Sequence, residues 1–302
     1  MKTQTFGVEI EMNNITRQKA AEIVAKFFNV TNCRYIGTVY SAWEVIDPQG
    51  RSWKFERDSS IQGPDDEKCE MVTPILHYDD IEDLQEIVRQ LRHEGAKSDD
   101  TRGCGVHIHV GAEGQDATTL RHLTNMMAAH EKLIIGAIRI ANHRLSTYCK
   151  PVDPGFVKML NEKKPTTMSD LADIWYTANH ANYGRDQHYN NSRYHMLNLH
   201  ATFTKGTIEF RLFQFDRPGQ TYKGGLHAGK LKAWIQFCLA VCDAAKHARS
   251  SRPEHVQTDN MKYAMTGWLC RLGLTGPEYD TLRKTFNEHL DGNAAVRYPS
   301  AV

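Results

Sequence analysis

The chain has 302 residues, 40% hydrophobic and 24% charged, which is enough apolar material for one large core or two smaller ones. Its 37 basic and 36 acidic residues give a formal charge of +1, so no global field recruits nucleic acid or an acidic membrane surface. No apolar run reaches the length of a signal peptide or a membrane span. The seven cysteines are scattered without a CxxC, and together these features predict a cytoplasmic protein with reduced, mostly buried thiols.

Residues 5–12 alternate, with Val8, Ile10 and Met12 on one face and Glu9 and Glu11 on the other, as in a half-buried strand. Thr16 is placed to cap a helix running to about Phe28, with Ala20, Ile23, Val24 and Phe27 inward. Residues 34–47 and 51–58 read as paired strands around the Asp47-Pro48-Gln49-Gly50 turn, and 69–76 as a further strand. An amphipathic helix is predicted over 80–94, stopped by Gly95. Residues 104–111 read as a strand and 117–142 as a long helix. From about 146 to 195 the pattern weakens to a Pro/Lys-rich loop, a short helix at 169–178, and a polar run from His180 to Arg193 that reads as a substrate lid. Strands are predicted at 194–201 and 206–215, and an apolar helix at 228–247. Beyond these lies a small helical tail in which Thr275 and Glu278 form a capping box.

This order lacks the regular strand–helix alternation of a doubly wound sheet or a barrel. It predicts an α+β fold, an antiparallel sheet with helices packed on one face. A catalytic domain is expected over 1–250, with the 146–195 segment as its lid, and a helical extension over 251–302.

Several strands carry paired polar residues between apolar ones: Glu9 and Glu11, His107 and His109, Glu209 and Arg211. Lys54, Glu56 and Asp58 continue the theme in the 51–58 strand, and Glu70 in the 69–76 strand. One Glu-x-Glu alone is ordinarily a solvated strand face, and a His-x-His is as often structural as ligating. Repetition on several strands points instead to a surface of clustered carboxylates and imidazoles. Such a cluster is compensated by Mg²⁺ or Mn²⁺ rather than by a structural zinc, which would call for grouped cysteines. No GxxxxGK[ST] or GxGxxG is present, so a nucleotide would be held by metals and cationic side chains.

Phe6-Gly7-Val8-Glu9-Ile10-Glu11-Met12 resembles the opening strand of the amidoligase family. So do Glu70-Met71-Val72-Thr73-Pro74, Cys104-Gly105-Val106-His107-Ile108-His109-Val110-Gly111, and Thr207-Ile208-Glu209-Phe210-Arg211-Leu212-Phe213. Trp53…Asp58-Ser59-Ser60 and Arg193-Tyr194…Leu197-Asn198-Leu199 complete six motifs in order over residues 6–240. The resemblance implies a curved antiparallel sheet of the glutamine synthetase and glutamate–cysteine ligase type, and an ATP-dependent carboxylate–amine ligase working through an acyl phosphate. It implies Glu9, Glu11, Glu70, His107 and Glu209 as metal ligands. It further implies His109, Lys54 and Asn198 as nucleotide or pocket contacts, Arg211 and Arg193 as holders of phosphate or substrate carboxylate, and Asp58 as a catalytic pocket residue. ATP and Mg²⁺ or Mn²⁺ would be the cofactors, and small-molecule or peptide carboxylates and amines the partners, with oligomeric assembly left open. A metal-dependent hydrolase built on the His-x-His pair, and a non-enzymatic binding protein, are the competing readings.

Overall fold

The alternation at the N-terminus becomes β1 (Phe6–Met12), and Thr16 caps α1 (Arg17–Phe28) by accepting from the Lys19 amide, as its position before the apolar helix requires. There follow β2 (Arg34–Tyr35), β3 (Trp43–Ile46), β4 (Ser52–Glu56), β5 (Cys69–Val72), α2 (Ile81–His93) and β6 (Val106–Gly111). Then come α3 (Ala117–Ile138), α4 (Asn142–Thr147), α5 (Pro154–Lys163), α6 (Met168–Ala178), β7 (Leu197–Asn198), α7 (His200–Lys205) and β8 (Thr207–Phe213). The chain closes with α8 (Ala228–His247), α9 (Met261–Arg271) and α10 (Asp280–Asn287). The structure, a computed structural model, describes residues 1–217, 219 and 225–297. The fold is α+β. The pairs β1–β5, β2–β3, β3–β4, β4–β5 and β7–β8 are all antiparallel. Among the described residues no helix is long and apolar enough to cross a membrane. All seven cysteines are free, and five of them are buried.

The chain forms two compact units. One, the sheet unit, comprises residues 2–109 and 213–232; the other, the helical unit, comprises residue 1, 110–212 and 233–302.

In the sheet unit the strand order is β2-β3-β4-β5-β1-β6. Helix α1 packs on β3, β4 and β5, and α2 packs on α1. Phe28 of α1 lies 5.4 Å from the Trp53 ring, so Trp53 and Phe55 face the helix and Lys54 and Glu56 face away. Asp47 is buried and organises the β3–β4 turn. Its carboxylate accepts from the amides of Gln49 and Arg51, from Arg51 Nε at 2.8 Å and from Trp53 Nε1 at 3.1 Å. The predicted strand over 34–47 is interrupted between β2 and β3, where Ser41 adopts φ 49° and closes a tight turn onto the Thr38 carbonyl.

In the helical unit the predicted 117–142 helix divides. Arg139 takes the left-handed conformation that ends α3, and α4 begins at Asn142. Helix α5 was not anticipated in the 146–195 segment, because Pro154 reads as a loop residue. Proline is tolerated in the first helical turn, and Asp153 caps the helix by accepting from the Phe156 amide at 2.7 Å. The predicted strand over 194–201 is reduced to the two residues of β7. Asn198 Oδ1 accepts from the His200 amide at 2.9 Å and turns the chain into α7, so the alternating leucines there mark a turn into a helix. The expected Thr275/Glu278 capping box does not form. A 3₁₀ turn over Pro277–Tyr279 leads into α10, which has no side-chain cap.

The tail of this unit is well buried. The Phe237 ring of α8 lies 4.7 Å from Phe286 and 5.4 Å from Trp268, and Trp268 stacks on His130 of α3 at 3.9 Å. Gly136 of α3 gives this packing room, since a Cβ there would stand 3.0 Å from Leu290 Cδ2 and press that side chain aside.

Candidate functional site

The antiparallel registers of the sheet unit set its polar face in rows. Glu56 stands opposite Glu70, and Glu70 opposite Glu11; Lys54 stands opposite Val72, and Val72 opposite Glu9. Residues opposite one another share a face, so three carboxylates lie side by side on adjacent strands. His107 Nδ1 is 2.8 Å from Glu9 Oε2, and its Nε2 is 3.9 Å from Glu11 Oε1. His109 Nε2 is 3.3 Å from Glu9 Oε1. The Glu11 carboxylate also accepts from the Gly105 amide at 2.6 Å, which fixes it against the entry to β6.

Asp58 joins this group through a loop that glycine makes possible. Gly103 has φ 69°, and a Cβ there would meet the Ser60 carbonyl oxygen at 2.4 Å, so only glycine lets the two segments approach. The Gln62 amide donates to the Arg102 carbonyl at 2.7 Å, Asn13 Nδ2 donates to the Gln62 carbonyl at 2.8 Å, and the Ser60 amide donates to Asp58 Oδ1 at 2.6 Å. Ligand atoms of Glu9, Glu70 and His107 lie within 4.8 Å of one another, and so do those of Glu11, Asp58 and Glu70.

The two carboxyls of the first triad, Glu9 and Glu70, are shifted in opposite directions. Burial pushes the Glu9 carboxyl up, but the His109 charge and the hydrogen bonds from His107 and His109 outweigh it and hold Glu9 well below the usual range. Glu70 is pushed well above that range, first by burial and then by repulsion from Glu9, Glu11, Asp58 and Glu56. No side chain or amide among the described residues donates to Glu70. Several carboxylates and one imidazole converging on a carboxylate without a donor form the donor set that a hard divalent cation satisfies. The residues therefore fit Mg²⁺ or Mn²⁺.

A prediction follows for the metal-free protein. A carboxyl whose folded pKa is raised stabilises the fold while protonated, and that stability is lost as pH rises from the ordinary value near 4.5 through the folded pKa. Glu70→Gln should therefore raise the thermal midpoint at pH 8 above that of the unmodified protein. It should also shrink the rise that Mn²⁺ produces in the unmodified protein. A midpoint at pH 8 that falls in the variant, with the Mn²⁺ response unchanged, would contradict this account of Glu70.

The other predicted residues lie in the helical unit. Glu209 is buried on β8, forms an ion pair with Arg211 Nη1, and accepts from Asn198 Nδ2 at 2.6 Å. Arg211 also donates to the Tyr148 carbonyl at 3.5 Å, and Arg144 donates to the Arg211 carbonyl at 3.0 Å. Arg193, Asn198 and Glu209 line one pocket of this unit. Lys54 keeps its place on the polar face of the sheet unit, opposite Glu44. The structure thus joins Glu9, Glu11, Glu70, His107, His109 and Asp58 in one cluster of the sheet unit, and within the helical unit it pairs Glu209 with Arg211 and Asn198 and sets Arg193 on the same pocket as Asn198 and Glu209. Cys104 is buried with its thiol pushed far up, which agrees with a structural role.

Sequence reasoning passed over His200 and Lys205, which line the same pocket as Arg193. Both fall on α7, where the end of the expected 194–201 strand and the connection to the next strand stood instead, so neither shares an expected face with Asn198. The signal was present in the Asn-Leu-His order, in which an asparagine side chain caps the turn two residues on.

The sequence pattern of a family described as putative amidoligase enzyme matches residues 2–242. No curated protein and no solved structure matches the chain.

Proposed function

The chain belongs to the amidoligase family and is a ligase-type enzyme, and on that premise we propose that it forms amide bonds between a carboxylate and an amine at the expense of ATP. The observation that carries the proposal is the cluster of Glu9, Glu11, Glu70, His107 and Asp58, whose donors converge within 4.8 Å in overlapping triads. Phosphoryl transfer needs charge neutralisation and positioning more than covalent help from the protein, and a carboxylate-held divalent cation provides the first of these.

In this reading Glu9, Glu11, Glu70 and His107 hold Mg²⁺ or Mn²⁺, with Glu209 a further ligand on family grounds. His109 fixes the Glu9 carboxylate in place and, with Lys54 and Asn198, contacts the nucleotide. Arg211 and Arg193 steady phosphate or carboxylate oxygens, and Asp58 orients the substrate. The γ-phosphoryl group passes from ATP to a carboxylate oxygen, giving ADP and an acyl phosphate. The amine nitrogen then attacks the acyl carbon, the carbon–oxygen bond to phosphate breaks, and the amine gives up a proton as phosphate leaves. The antiparallel pairings and the one-sided helices of the sheet unit support a catalytic architecture of the glutamine synthetase and glutamate–cysteine ligase type.

Calorimetric titration of the protein with ATP tests this reading. Saturable binding is expected in Mg²⁺ and should disappear when the metal is chelated. Stoichiometric Zn²⁺ with hydrolysis that ignores nucleotide would favour the metallohydrolase instead. Absence of Mg·ATP binding by the folded protein would end the ligase proposal.

A further inference from the structure

Arg211 is held at both its backbone and its side chain by one short stretch of chain, residues 144–149. The Arg144 side chain is buried, and its Nη2 donates to the main-chain carbonyl of Arg211 on β8 at 3.0 Å. The Arg144 carbonyl accepts from the amides of Tyr148 and Cys149, each at 2.9 Å, which closes the end of α4 on itself. That turn presents the Tyr148 carbonyl to the Arg211 side chain, whose Nε donates to it at 3.5 Å. Arg144 therefore binds the backbone of Arg211 with its side chain and, through Tyr148, fixes the Arg211 guanidinium with its own backbone. The Cys149 thiol is hydrogen-bonded to Arg144 as well. Burial pushes that thiol up despite the Arg144 and Arg211 charges beside it, so it serves as a neutral partner.

The chain beyond the turn is fixed to the same framework. The Lys150 amide donates to the Tyr194 carbonyl at 3.0 Å, the Met196 amide to the Lys150 carbonyl at 2.8 Å, and the Arg211 amide to the Met196 carbonyl at 3.0 Å. The Tyr194 ring lies 5.8 Å from the Arg211 guanidinium, and Glu209 pairs with its Nη1. An arginine suits position 144 because its planar fork carries donors enough for a carbonyl and a thiol at once. A lysine offers one compact ammonium on a flexible stem.

We infer that Arg144 is a positioning residue, which presets the Arg211 guanidinium beside Glu209. Its effect on turnover rests on the ligase reading, in which Arg211 steadies phosphate or carboxylate oxygens; its effect on Arg211 does not. The test follows the Arg211 Nε–H resonance by proton–nitrogen correlation in the full chain, assigned by its disappearance in Arg211→Lys. In Arg144→Met and Arg144→Lys that resonance should shift, and its exchange with water should quicken ~10-fold, the scale of one hydrogen bond. Phosphate release from Mg·ATP over a panel of carboxylates and amines should fall ~100-fold, as a small misplacement of a reacting or binding group can cost. Leu160→Ala, which empties a fully buried site on α5 of the same unit, should lower the thermal midpoint and leave the Arg211 resonance in place. Movement confined to Arg144→Met keeps the positioning and assigns it to the charge rather than to the fork. An unmoved resonance in every Arg144 variant that folds, an equal displacement in Leu160→Ala, or failure of both Arg144 variants to fold would make Arg144 a residue of general structure and overturn the inference. A displaced resonance with unchanged turnover would overturn its part in the chemistry. A displaced resonance in a protein whose unmodified form neither binds nor turns over Mg·ATP rejects the ligase reading and leaves the positioning of Arg211 standing.

Discussion

Glu9→Ala should lower nucleotide-dependent turnover at least ~100-fold, the cost of removing one central stabiliser of transition-state charge. Glu9 is singled out because it serves two partners at once, with one carboxylate oxygen 2.8 Å from His107 Nδ1 and the other 3.3 Å from His109 Nε2. It also shares the first triad with Glu70. Removing it takes away a ligand and leaves both imbedded imidazoles without the carboxylate that orients them. Glu9→Gln separates the two effects, because the amide keeps an acceptor for one imidazole while giving up the charge. Phosphate release from Mg·ATP over a panel of carboxylates and amines, alongside Mn²⁺ affinity, gives the readout. Far-ultraviolet circular dichroism checks that each variant is folded. Unchanged turnover and unchanged Mn²⁺ affinity in folded Glu9→Ala would remove the sheet unit's cluster from the chemistry.

Phe286→Ala should destabilise the helical unit by about 3–5 kcal/mol, the usual cost of emptying a fully buried aromatic site. The Phe286 side chain is fully buried against Phe237 at 4.7 Å between ring centroids, and α10 packs on α3 and α9. The family match ends at residue 242, yet Trp268, Leu282, Phe286 and Leu290 beyond it are core residues of this unit. Since folded domains hold only about 5–15 kcal/mol in reserve, the loss is a large share of the total. Urea unfolding followed by tryptophan fluorescence measures it as a fall in the midpoint at unchanged slope. A change below about 1 kcal/mol would show that α10 is a loosely attached appendage. Truncation at residue 250 should likewise expose the Phe237 side of α8 and yield an aggregating chain.

Much of the candidate site was legible because period-two alternation is a local property. Glu9 and Glu11, Lys54 and Glu56, and His107 and His109 reach a common polar face as soon as their strands form. The helices that cover the other face announced themselves through Thr16, Gly95 and the apolar stripe of α2. Less was legible where a short polar side chain competes for the backbone. Asn198 turns a leucine-rich strand pattern into α7, and Asp153 makes Pro154 the start of a helix rather than a loop. In both cases one side chain-to-backbone hydrogen bond outweighs the local preference.

What the sequence by itself determined was the kind of surface: carboxylates and imidazoles alternating with apolar residues on several strands, in the order of an amidoligase. What only the tertiary structure decided was the register that sets Glu56, Glu70 and Glu11 in one row, and the loop contact at Gly103 that brings Asp58 to it. A slip of one residue would turn Glu70 toward the helices, so the Asp47 turn and the pairing of Phe6 with Leu76 specify the cluster as firmly as its own residues do. The setting of Arg211 was decided in the same way. Which carbonyls and carboxylates an arginine meets depends on neighbours distant in the chain, and spacing along one strand carries no record of them.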